Sequence, residues 1–151
     1  RRRAVVDGHA LVRDAAGPDA PVVGVDAWLY EPDGAVVRAG LVGQLAGLLR
    51  AGRVASDIAY LSAPWHLPTP FATAFEVLET LPFDERVLRG WVRDHGVGTL
   101  EIKKRGIDVD PAELRRRLKP RGDAAATFVL TPTPEGARAL VVRRSAGARA
   151  S

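Results

Sequence analysis

The chain of 151 residues contains no cysteine and no methionine. Without cysteine there are no disulfides, no thiolate metal ligands and no cysteine nucleophile, and a reducing, cytoplasmic setting is the expectation. The missing methionine extends to position 1, where the chain opens on Arg1-Arg2-Arg3; the expectation is a fragment of a longer protein. No apolar run approaches the roughly 20 residues of a membrane-spanning helix, and no signal-peptide pattern is present. Motifs of self-contained enzymes are also missing: there is no GxSxG, no P-loop and no GxGxxG. His9, His66 and His95 are far apart and none has metal-ligand spacing. His95 precedes a helix-stopping glycine, where a favourable dipole contact is the ordinary explanation, and His66 lies in the loop "APWHLPTP", where it could touch a ligand but is more simply a loop residue. The glycines of "HGVGTL" (His95–Leu100) follow a helix and precede a strand, the wrong order for phosphate capture at a helix N-terminus. The acids of "DVDPAE" are used by helix capping. No catalytic, cofactor or metal residue is expected in this chain, so whether it belongs to an enzyme depends on a longer protein.

Apolar residues make up 46% of the chain, enough for a packed core. The net charge is +4 and the isoelectric point about 10.1, which suggests an anionic partner. The excess is local. Arg86 to Arg121 holds eleven Lys/Arg against five Asp/Glu, a net +6, leaving −2 for everything else.

Four segments are expected: 1–30, a linker or the tail of an upstream domain; 31–74, a helical connector; 75–144, an α/β domain; and 145–151, a disordered tail. In the first, "RAVVDGHALVRD" carries Asp7-Gly8 between apolar runs, a hairpin signal. "AAGPDAP" (15–21) reads as a loop and "VVGVDAWLY" (22–30) as a strand. Val37, Leu41, Leu45, Leu48 and Leu49 predict one helix over 35–50 that ends at Gly52. Gly43 and Gly47 offer either ordinary tight packing or a face for a partner. "SDIAYLSAPWHLPTPFATAF" (56–75) reads as a short strand and an irregular connection.

From Phe75 the pattern is β-α-β-α-β-β, an α/β (α+β) sheet with two helices packed on one face, preceded by a strand/helix extension. Phe75–Leu81 is a strand. Asp84 caps a helix over 85–94, whose buried stripe is Val87, Leu88, Trp91 and Val92, and Gly96 stops it. "TLEIKKR" is a strand with Leu100 and Ile102 inward. Asp110, Pro111 and Glu113 start a helix that runs to Leu118. "ATFVLT" (126–131) and "RALVVRR" (138–144) form a hairpin.

Two basic clusters lie in "TLEIKKRGIDVDPAELRRRL" (Thr99–Leu118). Lys103, Lys104 and Arg105 end the second strand. Arg115, Arg116 and Arg117 fan around the helix opposite Leu114 and Leu118, and Lys119 and Arg121 extend that end. The macrodipole accounts for one or two of these cations, at about 0.3–1 kcal/mol each. The remainder are either solvated surface or a phosphate-tracking surface. Few aromatics lie near, which favours backbone contacts of low sequence specificity over base stacking.

These residues resemble a known family. "YEPDGAVVRAGLV" (30–42), "IAYL" (58–61), "TPFATAFEVLETLPFD" (69–84), "VGTLEIKKRGIDVDPAELRRRL" (97–118) and "ATFVLT" (126–131) are similar to the THUMP-like C-terminal domain of bacterial, chiefly actinobacterial, class I S-adenosylmethionine-dependent methyltransferases. The resemblance covers roughly residues 30–144. It implies a Rossmann-like catalytic domain upstream, with a Gly-rich cofactor loop and an Asp/Asn-Pro-Pro signature, neither of which is in this chain. S-adenosylmethionine would then serve the parent enzyme and not this segment. The resemblance further implies binding of a nucleic acid, RNA above all, presented to the methyltransferase domain, with no membrane partner. The nucleic-acid contact set is Lys103, Lys104, Arg105, Arg115, Arg116, Arg117, Lys119 and Arg121. The alternative is a structural docking or dimerisation module built on the Gly40–Gly47 helix and the Trp65 loop, without nucleic-acid binding.

Overall fold

A computed structural model describes residues 2–13 and 20–145. Most of the expected loop over 15–21 and the tail beyond Ser145 fall outside the described residues. The chain divides into two compact units, one formed by residues 1–76 and 144–151 and the other by residues 77–143.

The first unit begins with strands β1 (Arg2–Val6) and β2 (His9–Arg13), an antiparallel hairpin turning at Asp7 and Gly8. Strand β3 (Trp28–Pro32) follows. The strand expected over 22–30 is confined to this later stretch. Gly24 has a positive φ of 77°, and the Ala27 amide donates to the Asp26 carboxylate at 2.7 Å, so the backbone turns before it can pair. Val22 makes only an isolated bridge to Arg53.

The single helix expected over 35–50 is two: α1 (Gly34–Arg38) and α2 (Val42–Leu49). Asp33 caps α1 by accepting from the Ala35 amide at 2.9 Å. Gly40, at φ 70°, then closes it with a Schellman pair: Leu41 N–H donates to Val36 O and Gly40 N–H to Val37 O, both at 3.0 Å. The apolar spacing continues across the break, which is why periodicity alone reads it as one helix. α2 ends one turn short of Gly52, with Arg50 in the left-handed conformation.

Short strands β4 (Gly52–Arg53) and β5 (Leu61–Ala63) complete the unit with the start of β6 (Ala72–Pro82), in the order β4-β5-β3-β6. Ala4, Val6 and Leu11 of the hairpin share one core with Tyr30, Val36, Leu45, Leu49, Leu61 and Phe71. The buried Tyr30 hydroxyl donates to the Trp65 carbonyl at 2.8 Å and accepts from the Leu67 amide at 2.9 Å, fixing the irregular connection. Burial raises the Tyr30 pKa from its ordinary value.

The second unit continues β6 and adds α3 (Glu85–Asp94), β7 (Val97–Lys104), α4 (Pro111–Leu118), β8 (Ala124–Thr133) and β9 (Gly136–Arg144). This is the β-α-β-α-β-β order expected from the sequence. Strands follow the order β6-β9-β8-β7, with β7 and β8 parallel and β8 and β9 an antiparallel hairpin. Asp84 caps α3 on the Val87 amide and Asp110 caps α4 on the Ala112 amide, at 3.1 and 3.0 Å. Leu88 and Val92 of α3 and Leu114 and Leu118 of α4 enter one core with Leu81, Leu100, Ile102, Phe128, Leu130 and Val141. Both helices therefore cover the same face of the sheet. Val87, expected in the buried stripe, is exposed: it lies about 100° round the helix from Leu88.

No helix among the described residues is long and apolar enough to cross a membrane.

Candidate nucleic-acid interface

β7 is the last strand in the order, so among the described residues one of its edges carries no further strand. The connection through α4 brings the chain back to start β8 beside the start of β7, with Val97 opposite Ala124. α3 ends at His95 and Gly96, immediately before β7. The residues after both helices therefore meet at the base of β7.

Three glycines lock that base. A Cβ on Gly98 would strike the Gly122 carbonyl, and a Cβ on Gly122 would strike the Gly96 carbonyl. Gly122 also has φ 137°, and the Ala124 amide donates to Gly96 O at 3.0 Å. Backbone thus fills the space beside Gly98 in "HGVGTL", while Gly96, at φ 60°, has open space where a Cβ would stand. Among the described residues no group of His, Cys, Asp or Glu could hold a metal ion.

The eight basic residues do not gather at one point. Lys103, Lys104 and Arg105 are at the far end of β7, where the Lys104 ammonium donates to Ile107 O at 3.2 Å. Arg121 stands next to Gly122 at the base. The length of β7, on the order of 20 Å, separates the two. Arg115 lies between them, its Nε donating to Leu100 O on β7 at 2.7 Å. The cations thus succeed one another along the length of β7 and α4, but Lys103, which alternates with the buried Ile102, leaves the sheet face opposite the one that α4 covers.

Arg117 is engaged by two carboxylates. Its Nε meets Glu85 at 2.6 Å and its Nη1 meets Glu113 at 3.0 Å. Arg89 donates to the other Glu85 oxygen at 2.8 Å and, through Nε, to the Arg117 carbonyl at 3.1 Å. This network ties α3 to α4 and satisfies one of the free carbonyls at the end of α4. Arg116, Lys119 and Arg121 are exposed and make no ion pair among the described residues. Lys119 also occupies the left-handed cap of α4, at φ 53°.

The hydrogen bond from Arg117 lowers the Glu85 pKa below the ordinary carboxylate value. A depressed folded value stabilises the fold above the unfolded value, about 4.3. That contribution disappears as pH falls through the folded value. Thermal unfolding against pH should show Glu85→Gln below the parent at pH 7, with the gap closing on the acid side. A gap that persists to low pH would contradict the pairing.

An aromatic arrangement at the end of α3 escaped the sequence reading, which took Trp91 as core. The Trp91 and His95 rings stack at 3.9 Å and 18°. Trp91 meets Phe128 edge-on at 5.4 Å and its indole donates to Glu79 at 2.8 Å. His95 is exposed, with Nδ1 2.8 Å from Trp91 O. The i, i+4 spacing of the two rings was the available signal.

Comparison with known proteins agrees with this architecture. Residues 72–144 match the family model described as THUMP domain-like. Uncharacterized S-adenosylmethionine-dependent methyltransferases from two strains of Mycobacterium tuberculosis are each 41% identical over 131 residues, which is 87% of this chain and 36% of theirs. The chain therefore spans about a third of the length of the curated relatives it matches. The crystal structure of a candidate methyltransferase from Porphyromonas gingivalis superposes with a TM-score of 0.70 at 24% identity, over 85% of this chain and 32% of that one, a likeness of fold. Residues 72–144, just under half of this chain, thus match the THUMP domain-like family, and the curated relatives of the chain are named S-adenosylmethionine-dependent methyltransferases.

Proposed function

We propose that this chain is the nucleic-acid-binding accessory part of a cytoplasmic S-adenosylmethionine-dependent methyltransferase. It would hold RNA along Lys103, Lys104, Arg105, Arg115, Arg116, Lys119 and Arg121 and present it to a catalytic domain carried by a longer protein. Arg117 belongs to the same surface but serves chiefly to join α3 to α4. The observation that carries the reading is the group Arg116, Lys119 and Arg121, exposed beside the locked base of β7 with no acid partner among the described residues. A merely solvated surface has no need of three such cations where a dipole rewards one or two. S-adenosylmethionine would be bound by the catalytic domain, in keeping with the longer relatives that are named S-adenosylmethionine-dependent methyltransferases.

The test is the dissociation constant of a single-stranded RNA measured from 50 to 200 mM salt. Replacing Arg116, Lys119 and Arg121 by Ala should weaken binding at least tenfold at low salt. It should also reduce the slope of log K against log salt by about 2, from about 0.7 per phosphate contact. Unchanged binding at low salt would overturn the reading.

A second reading, docking or self-association through α2 and the Trp65 loop, is favoured by one specific observation. Leu48 is 57% exposed and Trp65 45% exposed, and they are neighbours because the Trp65 indole donates to Leu49 O at 3.0 Å. A Cβ on Gly47 would meet nothing within 4 Å. A salt-insensitive dimer that Leu48→Glu dissolves would support it.

A further inference from the structure

His95 has one ring face on Trp91 and lies beside the base of the cationic line. The Gly96 carbonyl touches Gly122, and His95 and Arg121 are the residues immediately before those two. With 3.8 Å between consecutive Cα atoms, His95 and Arg121 stand within about 13 Å of each other at Cα, a gap that the arginine side chain and one nucleotide can span. Capping accounts for only part of the histidine: Nδ1 contacts the Trp91 carbonyl and the inner face covers the indole. The residue is nonetheless exposed. The platform beneath is fixed on two sides, by the hydrogen bond from the Trp91 indole to Glu79 and by the edge contact with Phe128. The neighbouring Asp94 carboxylate is taken by Arg93 at 3.1 Å.

We infer that the outer face of His95, backed by Trp91, is a stacking site for one unpaired base of a bound RNA strand, whose adjoining phosphates meet Arg121 and Lys119. Stacking requires an unstacked base, so the ligand is a single-stranded segment and not a duplex. The site is tolerant of base identity, because every base presents a flat face. This deepens the reading above and rests on it. The cations set affinity through phosphate, and the histidine adds a requirement that a base be present.

Fluorescence anisotropy of the 151-residue chain with a labelled 12-nucleotide single-stranded RNA, an abasic strand of equal length and a 12-base-pair duplex RNA tests it. The parent should bind the single strand at least fivefold more tightly than the abasic strand or the duplex. His95→Ala should lose that preference while binding the abasic strand as the parent does, and His95→Phe should keep it. Equal affinity of parent and His95→Ala for the base-bearing strand would overturn the stacking site while leaving the phosphate line standing. If the parent binds none of the three strands at 50 mM salt, the nucleic-acid reading itself fails.

Discussion

Gly98→Ala should lower the stability of the second unit by about 3 kcal/mol or more, a drop of roughly 10 °C in Tm by scanning calorimetry. The new methyl group meets the Gly122 carbonyl, which is backbone and cannot swing aside as a flexible side chain would. Overpacking of ordinary cores costs about 1–3 kcal/mol, and here relief requires separating the chain after α4 from the start of β7. Gly122→Ala should be comparable, since it adds an unfavourable φ of 137° to a collision with Gly96 O. Gly47→Ala, where a Cβ meets nothing within 4 Å, is the control and should be neutral or slightly stabilising within α2. A Gly98→Ala protein with the parent's Tm would show that the three glycines do not lock the base.

Phe128→Ala should cost about 3–5 kcal/mol, the usual range for a fully buried phenylalanine. Phe128 has no exposed surface and sits on β8 with Ile102 as its cross-strand partner, beneath α3 and α4. The loss would be read from chemical denaturation as a lower midpoint with an unchanged slope. It should also loosen Trp91, whose ring rests edge-on against Phe128, so the near-ultraviolet circular dichroism of the tryptophans should weaken under conditions where the variant is still folded. Phe128→Leu, which keeps most of the volume, should restore most of the stability and little of the aromatic signal. A mild cost for the alanine variant would mean that this core collapses readily around the cavity.

The second unit was legible because its local signals agree with one another. Asp84 and Asp110 are each followed by a helical apolar stripe, Gly96 stops the first helix, and Leu100 and Ile102 alternate with polar residues. Local capping and period-two patterning are properties of neighbouring residues, which a sequence displays directly. The first unit was read less well. The helix over 35–50 was broken by Gly40, whose closure depends on two backbone hydrogen bonds that the apolar spacing conceals. The strand expected from Val22 began only at Trp28, because pairing with β5 and β6 decides its length. In the candidate interface the residue types were legible and their arrangement was not. KKR and RRR look adjacent in the sequence, yet a parallel connection carries the chain to the opposite end of β7 before it reaches Arg121. Arg117 was indistinguishable from Arg116 until Glu85 came alongside from another helix. The stacked rings of Trp91 and His95 lay hidden under a sound but incomplete reading of each residue taken singly.

The bond from Arg115 to Leu100 O has a consequence for assembly. A border strand with bare amides and carbonyls invites a second chain to add itself in register. Here a guanidinium occupies one of those acceptors from the side, so the same residue that sits in the middle of the cationic line also discourages strand-by-strand growth. Removing it for a charge study would open the border as well as subtract a charge, and turbidity in such a variant would report the lost guard and not the lost ligand.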